Sequence, residues 1–236
     1  MKLAAARRAP DKRGLRIPFV RMGKVSSDDL FEAREQVLFD FYERNAGRYA
    51  TALDVGANVG IHALLMAQAG WQVRAFEPDP RHHAELVRNV AEHGLVASIA
   101  AVQAAVSTAA GGADFVRVLD NGTASHLAGA RDAYGPTEVI RVLTLDCRPL
   151  FDWADLAKID VEGHEAALLA TVTARQRCEF LVEVGSRANA DAIYAHFAGA
   201  RAMWVHRGGR SWEPVRAAKD VPGHYKEGTL FIGEKP

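Results

Sequence analysis

The sequence has no surplus of charge of either sign. Its 29 Lys and Arg residues balance 29 Asp and Glu residues, for a formal net charge of +0. A protein that grips nucleic acid through its phosphates carries a basic excess, so nucleic acid is not an expected partner. Cysteine is nearly missing. Cys147 and Cys178 are too few for a disulfide framework and their spacing is no zinc motif, so a reducing, cytoplasmic setting is expected. Long apolar runs are missing as well. The longest uncharged stretch, 94–113, is mostly alanine and is diluted by Gln103, Ser107, Thr108, Gly111 and Gly112. A bilayer helix needs about 20 strongly apolar residues, so this stretch reads as a buried strand and a turn, and no membrane span is expected. The basic residues near the start (Lys2, Arg7, Arg8, Lys12, Arg13, Arg16) have no apolar run behind them, unlike a signal peptide. Residues 1–25 read as a solvated arm. No internal repeat, low-complexity linker or break in composition divides the rest, so 26–236 are expected to form one domain.

What the chain does contain is an alternation of short apolar runs with helical patterns. Ser26 and Ser27 offer a helix cap, followed by Leu30, Phe31, Val37, Leu38 and Phe41 at roughly helical spacing, which predicts a helix ending near Gly47. Strands are predicted at 52–55, 73–76, 99–102, 157–161 and 180–184, and further ones at 114–119, 139–145, 203–206 and 229–232. Helices are predicted at 61–69, 80–93, 166–172 and 189–197. Strand and helix in alternation imply a mainly parallel sheet with helices on both faces. Ligands of such sheets bind beyond the carboxyl ends of the strands, so the residues just after each strand carry the functional reading.

After the first of these strands comes Asp54-Val55-Gly56-Ala57-Asn58-Val59-Gly60. Glycines in a strand-to-helix turn let a ligand approach main-chain N–H groups at a helix start. A tight turn without a ligand can look the same. Asp54, expected at the mouth of the loop, would repel a pyrophosphate and welcome a cation. The dinucleotide pattern G-x-G-x-x-G also fails, because Asn58 stands in place of its second glycine. Glu77 ends the next strand, where an acid is placed to accept hydrogen bonds from ribose hydroxyls.

The ordered set D-V-G-A-N-V-G, F-E-P-D-P, T-L-D and K-I-D-V-E-G-H-E, over about 51–185, resembles the FkbM family of S-adenosylmethionine-dependent methyltransferases. The resemblance implies a Rossmann-like class I methyltransferase fold: a seven-stranded, mainly parallel sheet with helices on both faces and the last strand antiparallel. It implies S-adenosylmethionine as cofactor, S-adenosylhomocysteine as product, and O-methylation of a sugar, glycan or natural-product hydroxyl. Carried over, it puts the methionine part on Asp54, Gly56, Asn58 and Gly60, the ribose on Glu77, and the adenine near Gln103, Ala104 and Ala105. It gives Asp160 a role in holding cofactor or substrate. The segment Asn121-Gly122-Thr123-Ala124-Ser125-His126 stands loosely where the family has a Ser-rich turn.

Lys158-Ile159-Asp160-Val161-Glu162-Gly163-His164-Glu165 is the most polar strand end. Methyl transfer to a hydroxyl requires an aligned nucleophile and a group that removes its proton. His164 is the first candidate base because imidazole titrates near neutral pH, although a histidine in a first helical turn can simply meet solvent. Asp160 and Glu162 are alternative bases, or anions orienting the histidine. A cluster of Glu162, Asp160 and Glu183 could instead hold a divalent metal through oxygen. His126 is a second candidate base, His62 lies within reach of a substrate, and His82, His83 and His93 read as solvated. Trp204 and Trp212 flank a hairpin and are expected to pack on the sheet. N-methylation of an amine and a non-catalytic nucleoside-binding module remain open.

Overall fold

The structure, a computed structural model, describes residues 13–31, 33–132, 134–208 and 211–236. A hairpin of β1 (Arg21–Met22) and β2 (Val25–Ser26) precedes α1 (Ala33–Arg44). The alternating core then runs β3 (Thr51–Val55), α2 (Ile61–Gln68), β4 (Gln72–Phe76), α3 (Pro80–Glu92) and β5 (Ile99–Val102). Four strands follow: β6 (Ala105–Ser107), β7 (Gly111–Val118), β8 (His126–Leu127) and β9 (Thr137–Asp146). The chain returns through α4 (Cys147–Trp153), β10 (Leu156–Ile159), α5 (Glu165–Leu169), β11 (Glu179–Val182) and α6 (Arg187–Phe197). It closes with β12 (Met203–His206), β13 (Glu213–Pro214) and β14 (Thr229–Ile232).

The main sheet has eight strands in the order β13-β12-β14-β11-β10-β3-β4-β5. Without the two-residue edge strand β13, and numbered along the chain, this order is 3-2-1-4-5-7-6. The last strand, β14, lies antiparallel to both β11 and β12, and β3, β4, β5, β10 and β11 are parallel. The dinucleotide order 3-2-1-4-5-6 lacks such an inserted strand. The expected seven-stranded sheet is therefore present, with one edge strand more.

Side chains alternate between the two faces of each strand. On β3, Ala52 packs with α1 and α2, whereas Leu53 and Val55 join Phe151, Phe180 and Phe197 on the opposite face. Asp54 therefore points to the α1 face. In register beside it on β10 stands Lys158, so one row of an otherwise apolar layer holds a carboxylate and an ammonium.

Several expectations are corrected. Residues 1–12 of the expected arm lie outside the described residues. The part from 13 to 25 is no arm: Leu15, Ile17 and Met22 are buried in the α1 face. Ser26 does not cap α1, because its N–H and Oγ bond Asp29 Oδ2 in a local turn and the helix starts at Ala33. The strand expected at 157–161 stops at Ile159. The strands expected near 114 and 139 do not join the main sheet. They pair antiparallel with each other in a second sheet, of order β6-β9-β7-β8. As expected, Trp204 and Trp212 pack against the core. No described helix is long and apolar enough to cross a membrane.

Candidate active site

A cavity of about 300 Å³ opens beyond the carboxyl ends of β3, β4, β5, β10 and β11, the place where a parallel sheet offers free backbone groups. The Gly-rich loop forms one part of its wall. The N–H groups of Gly56 and Ala57 both donate to the Phe76 carbonyl, at 3.0 and 2.9 Å, which folds the loop across β4. Gly56 has φ +83°, and a Cβ there would stand 1.9 Å from the Asp160 carbonyl oxygen. Asn58 sits at φ +51°, a left-handed conformation that asparagine tolerates better than most residues. Its Oδ1 is buried with no partner among the described residues and the residue lines the cavity, so the wall keeps an open acceptor for a ligand donor.

Glu77 is 5% exposed and lines the same cavity. Its Oε2 accepts the Asn58 N–H at 2.9 Å and its Oε1 the Asp79 N–H at 2.8 Å. Burial pushes its carboxyl up to about 8, against the opposing pull of those two N–H groups. Glu162 is pushed to about 8 as well, by burial and the Asp160 charge. A carboxyl that holds its proton more tightly when folded than when unfolded makes stability fall as pH rises between the two values. The three depressed histidines, His82, His164 and His206, act below about pH 6.5. The ligand-free protein is thus expected to lose melting temperature as pH rises from about 6.5 to about 8. Thermal melts check this; a flat or rising trend would contradict the buried-carboxyl account.

The floor is built around Lys158. Its Nζ lies 3.2 Å from Asp160 Oδ2 and 3.7 Å from Asp54 Oδ1. Burial alone would lower this ammonium's pKa, but Asp160, Asp54, Glu35 and Glu183 together hold it above its ordinary value. Asp54 is fully buried behind Lys158 and, contrary to expectation, does not reach the loop mouth. Glu162 turns out at φ +54° and pairs with Arg131. Glu183 is pushed well up, by burial and then by Asp160 and Glu35.

A relay stands on the α1 side. Tyr42 Oη is 2.9 Å from His62 Nδ1, and His62 Nε2 is 3.0 Å from Glu35 Oε2. Burial, then Asp54 and Glu35, push the Tyr42 hydroxyl well up. A carboxylate only accepts, so the His62 Nε2–H donates to Glu35 while Nδ1 shares a hydrogen bond with the Tyr42 hydroxyl. Glu35 and His62 both line the cavity.

Of the residues expected in the site, Gly56, Asn58, Glu77, Ala104, Ala105, Asp160 and Glu162 line the cavity together. Gly60 does not; its φ of +93° serves the start of α2. His164 does not either. The strand ends before it, and its Nε2 faces Ser107 Oγ at 3.3 Å. His126 is buried, with Nδ1 on the Ala124 carbonyl. His82, expected in solvent, is buried and lines the cavity against Gly122. Among the described residues no group of three His, Cys, Asp or Glu side chains has the geometry to hold a metal ion. Lys158 pairs with Asp160 and Arg131 with Glu162, two of the three acids once expected as ligands. Sequence reasoning missed Glu35, Lys158 and Arg131. Lys158 could have been noticed as a charge inside an apolar strand, whereas Glu35 and Arg131 sit in no motif.

Even without Glu77, Glu162 and Glu183, whose protons burial holds more tightly, the acids Asp29, Glu35 and Asp160 around the cavity outnumber the cations Lys158 and Arg131. A wall with this balance suits a sulfonium better than a diphosphate. The inserted antiparallel strand, the Gly-rich loop and the strand-end acid define a Rossmann-like methyltransferase of the S-adenosylmethionine-dependent class. The model of the methyltransferase FkbM domain matches residues 54–209, and the chain belongs to the FkbM methyltransferase family. No curated protein matches it. Solved structures similar to it include a SAM-dependent methyltransferase from Agrobacterium tumefaciens, at 12% identity and TM-score 0.45, over 86% of this chain and 62% of that one. Precorrin-6y C5,15-methyltransferase from Geobacter metallireducens is similar at 8% identity and TM-score 0.47, over 90% and 96%. An O-methyltransferase from Thermotoga maritima is similar at 11% identity and TM-score 0.42, over 90% and 66%.

Proposed function

We propose that the protein methylates a hydroxyl of a sugar, glycan or natural-product small molecule and releases S-adenosylhomocysteine. The observation that carries this reading is a single cavity lined both by the Gly-rich loop with Glu77 and by the proton-handling side chains Glu35, His62 and Glu183. Gly56, Asn58 and Asp160 hold the methionine part of the cofactor, Glu77 the ribose, and Ala104 and Ala105 the adenine. When bound, S-adenosylmethionine supplies an electrophilic methyl and a neutral thioether leaving group.

The protein's own work is to align the acceptor and take its proton. An alcohol is a weak nucleophile until its proton leaves. Glu35 accepts that proton and His62 orients the carboxylate through Nε2–H, while Glu183 lines the same cavity beside the acceptor. Glu35→Gln is expected to lower kcat by about 10²- to 10⁴-fold and to leave S-adenosylhomocysteine affinity unchanged; His164→Ala should leave kcat near wild type. The check is by-product release against a panel of hydroxylated acceptors. A large loss in His164→Ala with none in Glu35→Gln would return the base to position 164. The carboxylate-rich wall also favours a second reading, N-methylation of an amine-bearing metabolite, and amines in the same panel separate the two. Cofactor binding without turnover on any acceptor would point to a non-catalytic module.

A further inference from the structure

The second sheet is tied to the cavity through one buried cation. Arg117, on β7, is 7% exposed. Its Nε donates to Asp79 Oδ2 at 2.8 Å and its Nη1 to Glu138 Oε2 at 2.7 Å. Asp79 is itself 3% exposed, and its Oδ1 accepts the Arg81 N–H at 2.8 Å, capping α3. The Asp79 backbone N–H is the group that donates to Glu77 Oε1. Phe115 lies two residues before Arg117, on the same face of β7, and lines the cavity.

A buried guanidinium is costly unless paired, and here it is paired twice. Through Asp79 it fixes the Pro78–Asp79–Pro80 turn. That turn aims one of the two N–H groups that hold the Glu77 carboxylate. A carboxylate held at both oxygens presents its remaining lone pairs to the cavity in one orientation, and such fixed acceptors discriminate ligands by geometry.

We propose that Arg117 is a positioning residue for the cofactor: the second sheet, through the Arg117–Asp79 pair, sets the Glu77 carboxylate for the ribose hydroxyls. This rests on the reading that Glu77 holds the ribose. It makes the insertion between β5 and α4 part of the cofactor site. Ribose discrimination, rather than general affinity, is the property that Arg117 controls.

The test is calorimetric titration of the full chain with S-adenosylhomocysteine and with its 2′-deoxy analogue. Wild type, Glu77→Gln, Arg117→Lys, Arg117→Met and the double variant Asp79→Asn/Arg117→Met are compared. The double variant keeps an amide cap on α3 and leaves no unpaired buried charge, should Arg117→Met fail to fold. Wild type is expected to prefer the 2′-hydroxyl ligand by about tenfold. The Met variants lose most of that preference while binding the 2′-deoxy ligand within about twofold of wild type, and Arg117→Lys recovers part of it. Equal weakening of both ligands, with the preference intact, would overturn the positioning role and leave the Glu77 reading standing. A wild type that does not discriminate, or a Glu77→Gln variant that discriminates as well as wild type, would overturn the Glu77 reading and this proposal with it.

Discussion

Gly56→Ala is expected to abolish cofactor binding and to destabilise the protein by at least about 3 kcal/mol. Two effects add. The residue sits at φ +83°, where a Cβ is strained. That Cβ would also stand 1.9 Å from the Asp160 carbonyl oxygen, which is backbone and cannot swing away. Relief requires the loop to lift from β10 and break the paired N–H bonds to the Phe76 carbonyl. Chemical denaturation and titration with S-adenosylhomocysteine check both halves. A variant of wild-type stability that still binds would show that the loop does not pass against β10. Gly60→Ala gives a contrast, since the atom it meets is Leu86 Cδ1, the end of a flexible side chain. It should retain more stability than Gly56→Ala.

Lys158→Met should be the second most damaging change. Lys158 is 4% exposed and Asp54 is fully buried. Among the described residues no hydrogen bond reaches either Asp54 oxygen, and the Lys158 ammonium lies 3.7 Å from Oδ1 to offset its charge. Removing one partner of a buried pair typically costs about 3–5 kcal/mol, because the other charge stays behind. Asp54→Asn/Lys158→Met should therefore be more stable than Lys158→Met alone, an inversion that a loss of packing would not produce. Denaturation curves of the single and double variants provide the measurement. A Lys158→Met single variant as stable as wild type would show that the pair carries no such burden.

The fold was legible wherever hydrophobic period and turn chemistry agreed. The strand at 52–55 with its glycine turn, and the helix opened by Asp79-Pro80, are local signals, and their elements stand where expected. The second sheet was not legible as a separate layer. Strands β7 and β9 announce themselves by alternation, but nothing local says that they pair with each other and leave the main sheet. The candidate site divides the same way. Gly56 and Glu77 were readable because strand-end position places them, and Asn58 came with the family resemblance. His164 misled because strand and turn each give its side chain a different direction, and the chain turns at Glu162 with φ +54°. Glu35 was hidden, since α1 brings it to the cavity by tertiary packing and no spacing in the sequence records that approach.

The central claim is that the cavity takes S-adenosylmethionine through Glu77 and refuses dinucleotides. Calorimetric titration of the wild type and Glu77→Ala with S-adenosylhomocysteine and with NAD tests it most directly. The account predicts binding of S-adenosylhomocysteine by wild type and none of NAD. It also predicts a loss of about 1.5–3 kcal/mol, roughly 10- to 150-fold, in Glu77→Ala. Tighter binding of NAD, or equal affinity of the two proteins for S-adenosylhomocysteine, would contradict it.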